Sequence, residues 1–127
     1  MSGNVFLYER DSKGNQESIS NQDNELKEYV NELFEDANIK VYVDQCSLND
    51  GCNALKQLIK DLQNEKVDWV ITTNSNRFYR INYNDGMQRL LNILTDINKN
   101  GTNIAFTDDS IQLKDEEQIL KYISSLN

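Results

Sequence analysis

Arg10 and Ser12 stand two apart directly after an apolar run, Val5-Phe6-Leu7-Tyr8, and a second pair of arginines, Arg77 and Arg80, stands three apart in the segment 74–80. A serine hydroxyl beside guanidinium groups suits chemistry at a phosphate. The hydroxyl can attack phosphorus, while each arginine fork makes paired hydrogen bonds to phosphate oxygens and keeps its charge at any relevant pH. If the backbone stays extended past Tyr8, Arg10 and Ser12 leave it on the same side. One helical turn would likewise face Arg77 and Arg80 the same way. Taken singly, Ser12 reads as a turn or cap serine and the arginines as solvated surface groups. Only convergence makes a site of them, so the surrounding elements must bring two distant segments together.

The chain has 127 residues with 38% hydrophobic content, enough for one domain with its own core and too little for two. The net charge of −8 argues against a surface that is nucleic-acid footprint throughout, though it leaves room for a local basic site. Cys46 and Cys52, six apart in a chain without histidine, make a zinc site improbable and read as free thiols of a reducing compartment. No charged and apolar leader opens the chain, and no apolar run reaches the ~18 residues that span a bilayer. These features predict a soluble, cytoplasmic protein.

Periodicity supplies the positioning elements. The run 5–8 reads as a short buried strand. Ile19, Leu26, Tyr29, Val30, Leu33 and Phe34 recur at helical spacing and predict an amphipathic helix of about four turns. A second strand is expected over 39–43, then a polar loop over 44–51. Leu55, Leu58, Ile59 and Leu62 predict a second helix with Asn53 as a candidate N-cap. A third strand over 67–72, a polar segment over 73–84, a third helix carrying Met87, Leu90, Leu91, Leu94 and Ile97, and a fourth strand over Asn103–Phe106 follow. Strands alternating with helices imply an α/β fold, with a mostly parallel sheet of about four to five strands and helices on both faces. Loops at the carboxyl ends of such strands share one edge. Ser12, Asp44 and the 74–80 segment all fall there.

With those residues placed, the chain resembles the serine recombinases, which include resolvases, invertases and large phage integrases. The family's opening pattern, Tyr-x-Arg-x-Ser followed by Gln, Ser and Asn-Gln, is similar to Tyr8, Arg10, Ser12, Gln16, Ser18, Asn21 and Gln22. Its aspartate at the end of the second strand is similar to Asp44, and its acidic-Arg-x-x-Arg pattern after the third strand to Asn76-Arg77-Phe78-Tyr79-Arg80. The resemblance covers essentially the whole chain. The stretch from Phe106-Thr107-Asp108-Asp109 into the 113–126 region looks like the entry to the long helix on which these proteins dimerise.

The resemblance implies site-specific DNA recombination. Ser12 would attack a phosphodiester and become joined to the 5′ phosphate while a 3′ hydroxyl leaves. Arg10, Arg77 and Arg80 would stabilise charge on the nonbridging oxygens, and Tyr8, Gln22, Asp44 and Asn76 would support them. The phosphoserine intermediate conserves the bond energy, so no metal and no other cofactor is expected. The implied partners are DNA, bound through a fuller-length protein, and further copies: a homodimer, and a tetramer in the synaptic complex. The chain would be the catalytic domain, 1–127, without its C-terminal DNA-binding domain. No membrane partner is implied.

Two positions depart from the family pattern. Cys52 stands where an arginine usually precedes the second helix, in Gly51-Cys52-Asn53-Ala54-Leu55, and a thiol supplies no permanent cation; losing such a contact costs about 2–4 kcal/mol of barrier. Cys52 then reads as a small apolar filler, slightly ahead of a redox role. Asn76 replaces the usual aspartate and removes an ionisable group. Both changes also suit a second function class, a degenerate resolvase-like module that acts through protein contacts or mixed dimers. A third reading, a flavodoxin-like or receiver-like ligand domain, shares the strand and helix alternation but has no convincing cluster of acids. The apolar spacing of Ile119, Leu120, Ile123 and Leu126 predicts a face left uncovered by a lone domain, and self-association there.

Overall fold

The apolar run at the N-terminus extends in both directions into a ten-residue strand, β1 (Ser2–Asp11), in a computed structural model that describes residues 2–11, 16–46, 52–83 and 85–126. Ser12 and Gly51 lie outside the described residues. β1 pairs in parallel with β2 (Asp36–Gln45) on one side and with β3 (Trp69–Thr72) on the other. β4 (Asn103–Phe106) lies parallel to β3, and a short β5 (Ile111–Leu113) closes the sheet antiparallel to β4. The resulting order is β2-β1-β3-β4-β5.

Strand alternation sends successive side chains to opposite faces. Val5 and Leu7 pack with Leu26, Val30 and Phe34 of the α1 region (α1, Gln16–Leu33). Phe6 and Tyr8 face the other layer, built by α2 (Asn53–Leu62), α3 (Gly86–Asn98) and α4 (Glu116–Ser125). The same alternation carries two charged residues inward. Glu9 continues the Val5–Leu7 row and Arg10 continues the Phe6–Tyr8 row, and each is only 1% exposed.

Several boundaries differ from the sequence expectation, each for a tertiary reason. Arg10 does not emerge beyond a strand ending at Tyr8; it lies inside β1, because pairing with the edge strand β2 continues through Arg10↔Asp44 and Asp11↔Gln45. Asp44 is likewise a strand residue rather than the first residue of a loop. Asn53 is not the N-cap of α2. Cys52 takes that position, its side chain not capping the helix, and the Asp44 carboxylate caps the helix from β2 by accepting from Ala54 N at 2.8 Å and Leu55 N at 3.0 Å.

The expected uncovered face on α4 is also corrected. Ile119 and Ile123 are buried in the chain's own core, where α4 packs on α3, and Leu120 is the exposed residue of the set at 46%. No helix among the described residues is long and apolar enough to cross a membrane.

Gly86 opens α3 where the backbone passes close to the preceding segment. A Cβ there would lie 2.4 Å from Arg80 O and 2.6 Å from Ile81 O, both main-chain atoms. Gly86→Ala is therefore expected to lose about 1–3 kcal/mol of stability in urea unfolding and to displace the segment carrying Arg80.

Candidate active site

The sheet order creates a crevice between β1 and β3. The connection leaving β1 returns to β2, whereas the one leaving β3 proceeds to β4, so the two carboxyl ends diverge where such sheets hold ligands. β3 is followed by a single 3-10 turn, Ser75–Arg77, because the Asn74 side chain accepts from Asn76 N at 3.1 Å and starts it. That turn lies across the end of β1.

Pairing of β1 with β3 stops at Leu7, and side chains take over the main-chain groups of Arg10. Gln22 Oε1 accepts from Arg10 N at 3.1 Å, and Gln22 Nε2 donates to Arg10 O at 3.0 Å. Arg77 Nη1 donates to the same carbonyl at 2.9 Å, and Arg77 Nε donates to Thr73 Oγ1 at 3.3 Å. The Arg10 fork in turn donates to main-chain carbonyls: Nε to Arg77 O at 2.9 Å, Nη2 to Asn76 O at 2.7 Å, and Nη1 to Cys46 O at 3.3 Å. Burial lowers the pKa of Arg10, and the like charges of Arg80 and Arg77 add to that effect. Arg10 thus ties β1 both to the turn after β3 and to the end of β2.

Arg10, Arg77 and Arg80 line one open cleft of about 630 Å³, together with Asn76 and Tyr122. Their expected convergence is therefore present, but the three are not equivalent. Arg10 and Arg77 are held by main-chain and threonine oxygens. Arg80 has no side-chain hydrogen bond among the described residues, and its guanidinium lies 5.9 Å from the Tyr83 ring centre. Of the three it is the one whose guanidinium donors are all uncommitted among the described residues, while Arg77 commits Nε and Nη1.

The supporting residues act mainly through the scaffold. Tyr8 donates to Asp44 Oδ2 at 2.7 Å and stacks on Phe78 at 5.5 Å between ring centres. Burial raises the Tyr8 pKa, and the hydrogen bond to Asp44 raises it further. Among the described residues Asp44 accepts three hydrogen bonds, from Tyr8 and the first turn of α2. Asn76 contributes its main-chain carbonyl to Arg10 while its side chain is exposed.

The cysteines are the clearest correction. Cys46 and Cys52 form a disulfide, with Cα atoms 5.8 Å apart; they are neither free thiols nor, at Cys52, a simple apolar filler. The end of β2 and the start of α2 bring the two residues together. Asp44, Cys46 and Cys52 place three potential metal-ligating groups within 4.8 Å of one another. With both sulfurs bonded and the carboxylate already accepting three hydrogen bonds, this set does not fit a metal ion.

Three contributors had escaped sequence reasoning. Thr73 orients Arg77, Cys46 O accepts from Arg10, and Glu9 sits buried behind the site. Burial raises the Glu9 pKa to about 8, and its hydrogen bond to Asp23 adds to the effect. Among the described residues, Glu9 Oε2 has no hydrogen-bond partner. The available signal was the charged pair Glu9-Arg10 running on from a buried strand without a break.

A family model of the resolvase N-terminal domain matches residues 5–126. Among solved structures, the N-terminal catalytic domain of TP901-1 integrase superposes with a TM-score of 0.77 at 24% identity, covering 98% of this chain and 93% of that one. A resolvase family site-specific recombinase from Streptococcus pneumoniae gives 0.73 at 22% identity, covering 97% and 84%. The C-terminal catalytic domain of ISC1926 TnpA, an IS607-like serine recombinase, gives 0.60 at 21% identity, covering 97% and 79%. No curated protein matches the chain. At these identities the superpositions establish the fold, a five-stranded, mostly parallel sheet with four helices. The family match spans nearly the whole chain, and the protein belongs to the resolvase N-terminal domain family of serine recombinases.

Proposed function

We propose that this domain cleaves and rejoins DNA strands in site-specific recombination through a phosphoserine intermediate. Ser12 Oγ bonds to phosphorus, the bond to the 3′ oxygen breaks, and that oxygen leaves as a hydroxyl after taking up a proton. Reversal of the step by a different 3′ hydroxyl joins new partners. The observation that carries this reading is the cleft lined by Arg10, Arg77 and Arg80 at the end of the strand that leads into Ser12. Arg80 binds the nonbridging oxygens most directly, and Arg77 backs it. DNA is reached as part of a longer protein with its own reader domain, working as a homodimer that assembles into a tetramer at synapsis, in the cytoplasm.

The test separates catalysis from folding. In the full-length protein, Arg80→Ala is expected to slow strand cleavage about 10²–10³-fold, as for loss of one donor to a developing oxyanion, and to leave the urea midpoint unchanged. Cleavage at the wild-type rate would remove Arg80 from the mechanism. Because Cys52 stands in place of an arginine, a second reading is a degenerate copy that acts through mixed dimers. It predicts no cleavage with Ser12 intact and its appearance in Cys52→Arg.

A further inference from the structure

Arg10 is expected to bind phosphate, yet in this structure its fork points into main-chain carbonyls and it is 1% exposed. One of those carbonyls belongs to Cys46. Cys46 is held in place twice: its N–H donates to Asp11 O at 3.1 Å, continuing the ladder with β1, and its sulfur is bonded to Cys52 at the head of α2. α2 is itself immobilised by Asp44, which caps Ala54 and Leu55. The disulfide therefore ties Cys46, and with it the carbonyl that Arg10 donates to, to a helix end capped by Asp44. Cys46 is half-buried, so a reductant can approach it.

We infer that the Cys46–Cys52 pair is a thiol–disulfide switch that decides whether Arg10 can turn toward the cleft, a regulation that rests on the recombinase reading given above. In the oxidised state the carbonyls of Cys46, Asn76 and Arg77 hold the fork inward. A dithiol reductant opens the bridge. One of its thiolates attacks a bridge sulfur and forms a mixed disulfide, and its second thiol resolves that bond. Two electrons and two protons pass to the protein, leaving two cysteine thiols and an oxidised reductant. Among the described residues, Cys46 is then tied through its N–H to Asp11 O, its carbonyl can swing away, and the remaining acceptors of Arg10 both lie on the turn that borders the cleft. The reduced protein is the competent one, and oxidation locks it.

The experiment uses the full chain with nitrogen-15 arginine labelling. Mass spectrometry after alkylation should count no free thiols in the oxidised protein and two after treatment with dithiothreitol. Guanidinium protons of Arg10 should exchange with solvent about tenfold faster after reduction. The double variant Cys46→Ser/Cys52→Ser should exchange like the reduced protein under either condition. Equal exchange in both redox states, or a double variant that exchanges like the oxidised protein, overturns the inference. In the full-length protein, cleavage should rise at least about tenfold on reduction and become redox-insensitive in the double variant. A change in Arg10 exchange without DNA cleavage in either state would keep the switch and refute the recombinase reading. Equal cleavage in both states would refute the switch alone.

Discussion

Arg10→Met is expected to lower stability by about 2–4 kcal/mol, because it leaves three carbonyl acceptors without their donor and removes a side chain that joins three segments. The methionine fills much of the same volume, so the loss reports hydrogen bonds rather than an empty cavity. Cys46, Asn76 and Arg77 each lose a donor. Among the described residues, the turn after β3 would then depend on Arg77 Nη1 for its side-chain tie to the main chain of β1. Cleavage should disappear with it, since Arg77 and Arg80 are positioned by the same turn. Urea unfolding followed by circular dichroism checks the first effect and DNA cleavage the second. The contrast with Arg80→Ala is the informative part: one arginine carries fold and function together, the other carries function. A midpoint for Arg10→Met equal to wild type would mean that its fork is not held as described.

The second large effect is a pH dependence centred on Glu9. Its acid is raised from an ordinary 4.5 to about 8 by burial, followed by the hydrogen bond and charge of Asp23. Asp23 is held low by that same hydrogen bond from Glu9, with Lys27 also contributing at 2.9 Å. Between those two pH values the folded chain keeps a proton that the unfolded chain has lost. Stability therefore falls as pH rises across that window and levels off above about 8. At 1.36 kcal/mol per pKa unit the total is on the order of 3–5 kcal/mol. Glu9→Gln keeps a neutral donor for Asp23 and removes the titration. Its stability should be insensitive to this titration between pH 5 and 8 and should exceed wild type above pH 8, as measured by urea unfolding at a series of pH values on both proteins. An unchanged difference between the two across the series would show that Glu9 ionises normally.

Much of this arrangement was legible because the residues obey simple periodicities. The stripes of α2 and α3 are visible in Leu55, Leu58 and Leu62 and in Leu90, Leu94 and Ile97, and both helices form where spacing places them. Arg77 and Arg80 could be assigned to a strand end because β3 is a short apolar run with a polar successor. What escaped notice depends on partners distant in sequence. Gln22 is expected as a supporting residue only through the family resemblance; its place on the buried stripe of α1 is a polar interruption that makes sense only when Arg10 is seen to lack a strand neighbour on that side. β1 and β2 run longer than their apolar cores because each pairs with the other, and pairing holds charged residues in a strand that composition alone would end. Ile119 and Ile123 looked uncovered because the α3 surface that receives them is not visible from their own spacing. The disulfide was missed for a related reason: six residues of sequence separation say nothing of how a strand end and a helix start approach one another. Asp44, expected as a supporting residue, has hydrogen bonds that make it the cap of α2 and the partner of Tyr8.

Ser12 is expected to be the nucleophile toward DNA, acting with the arginines of this cleft. The most direct measurement is the covalent adduct itself. The full-length protein is incubated in reducing buffer with a duplex carrying its recombination site, the reaction is quenched in denaturant, and the cross-linked peptide is mapped by mass spectrometry. The expected result is a 5′-phosphate joined to the Ser12 side chain, with a free 3′ hydroxyl on the other product and no adduct in Ser12→Ala. An adduct that persists in Ser12→Ala, linkage through another residue, or no adduct from intact protein that binds the site would contradict it.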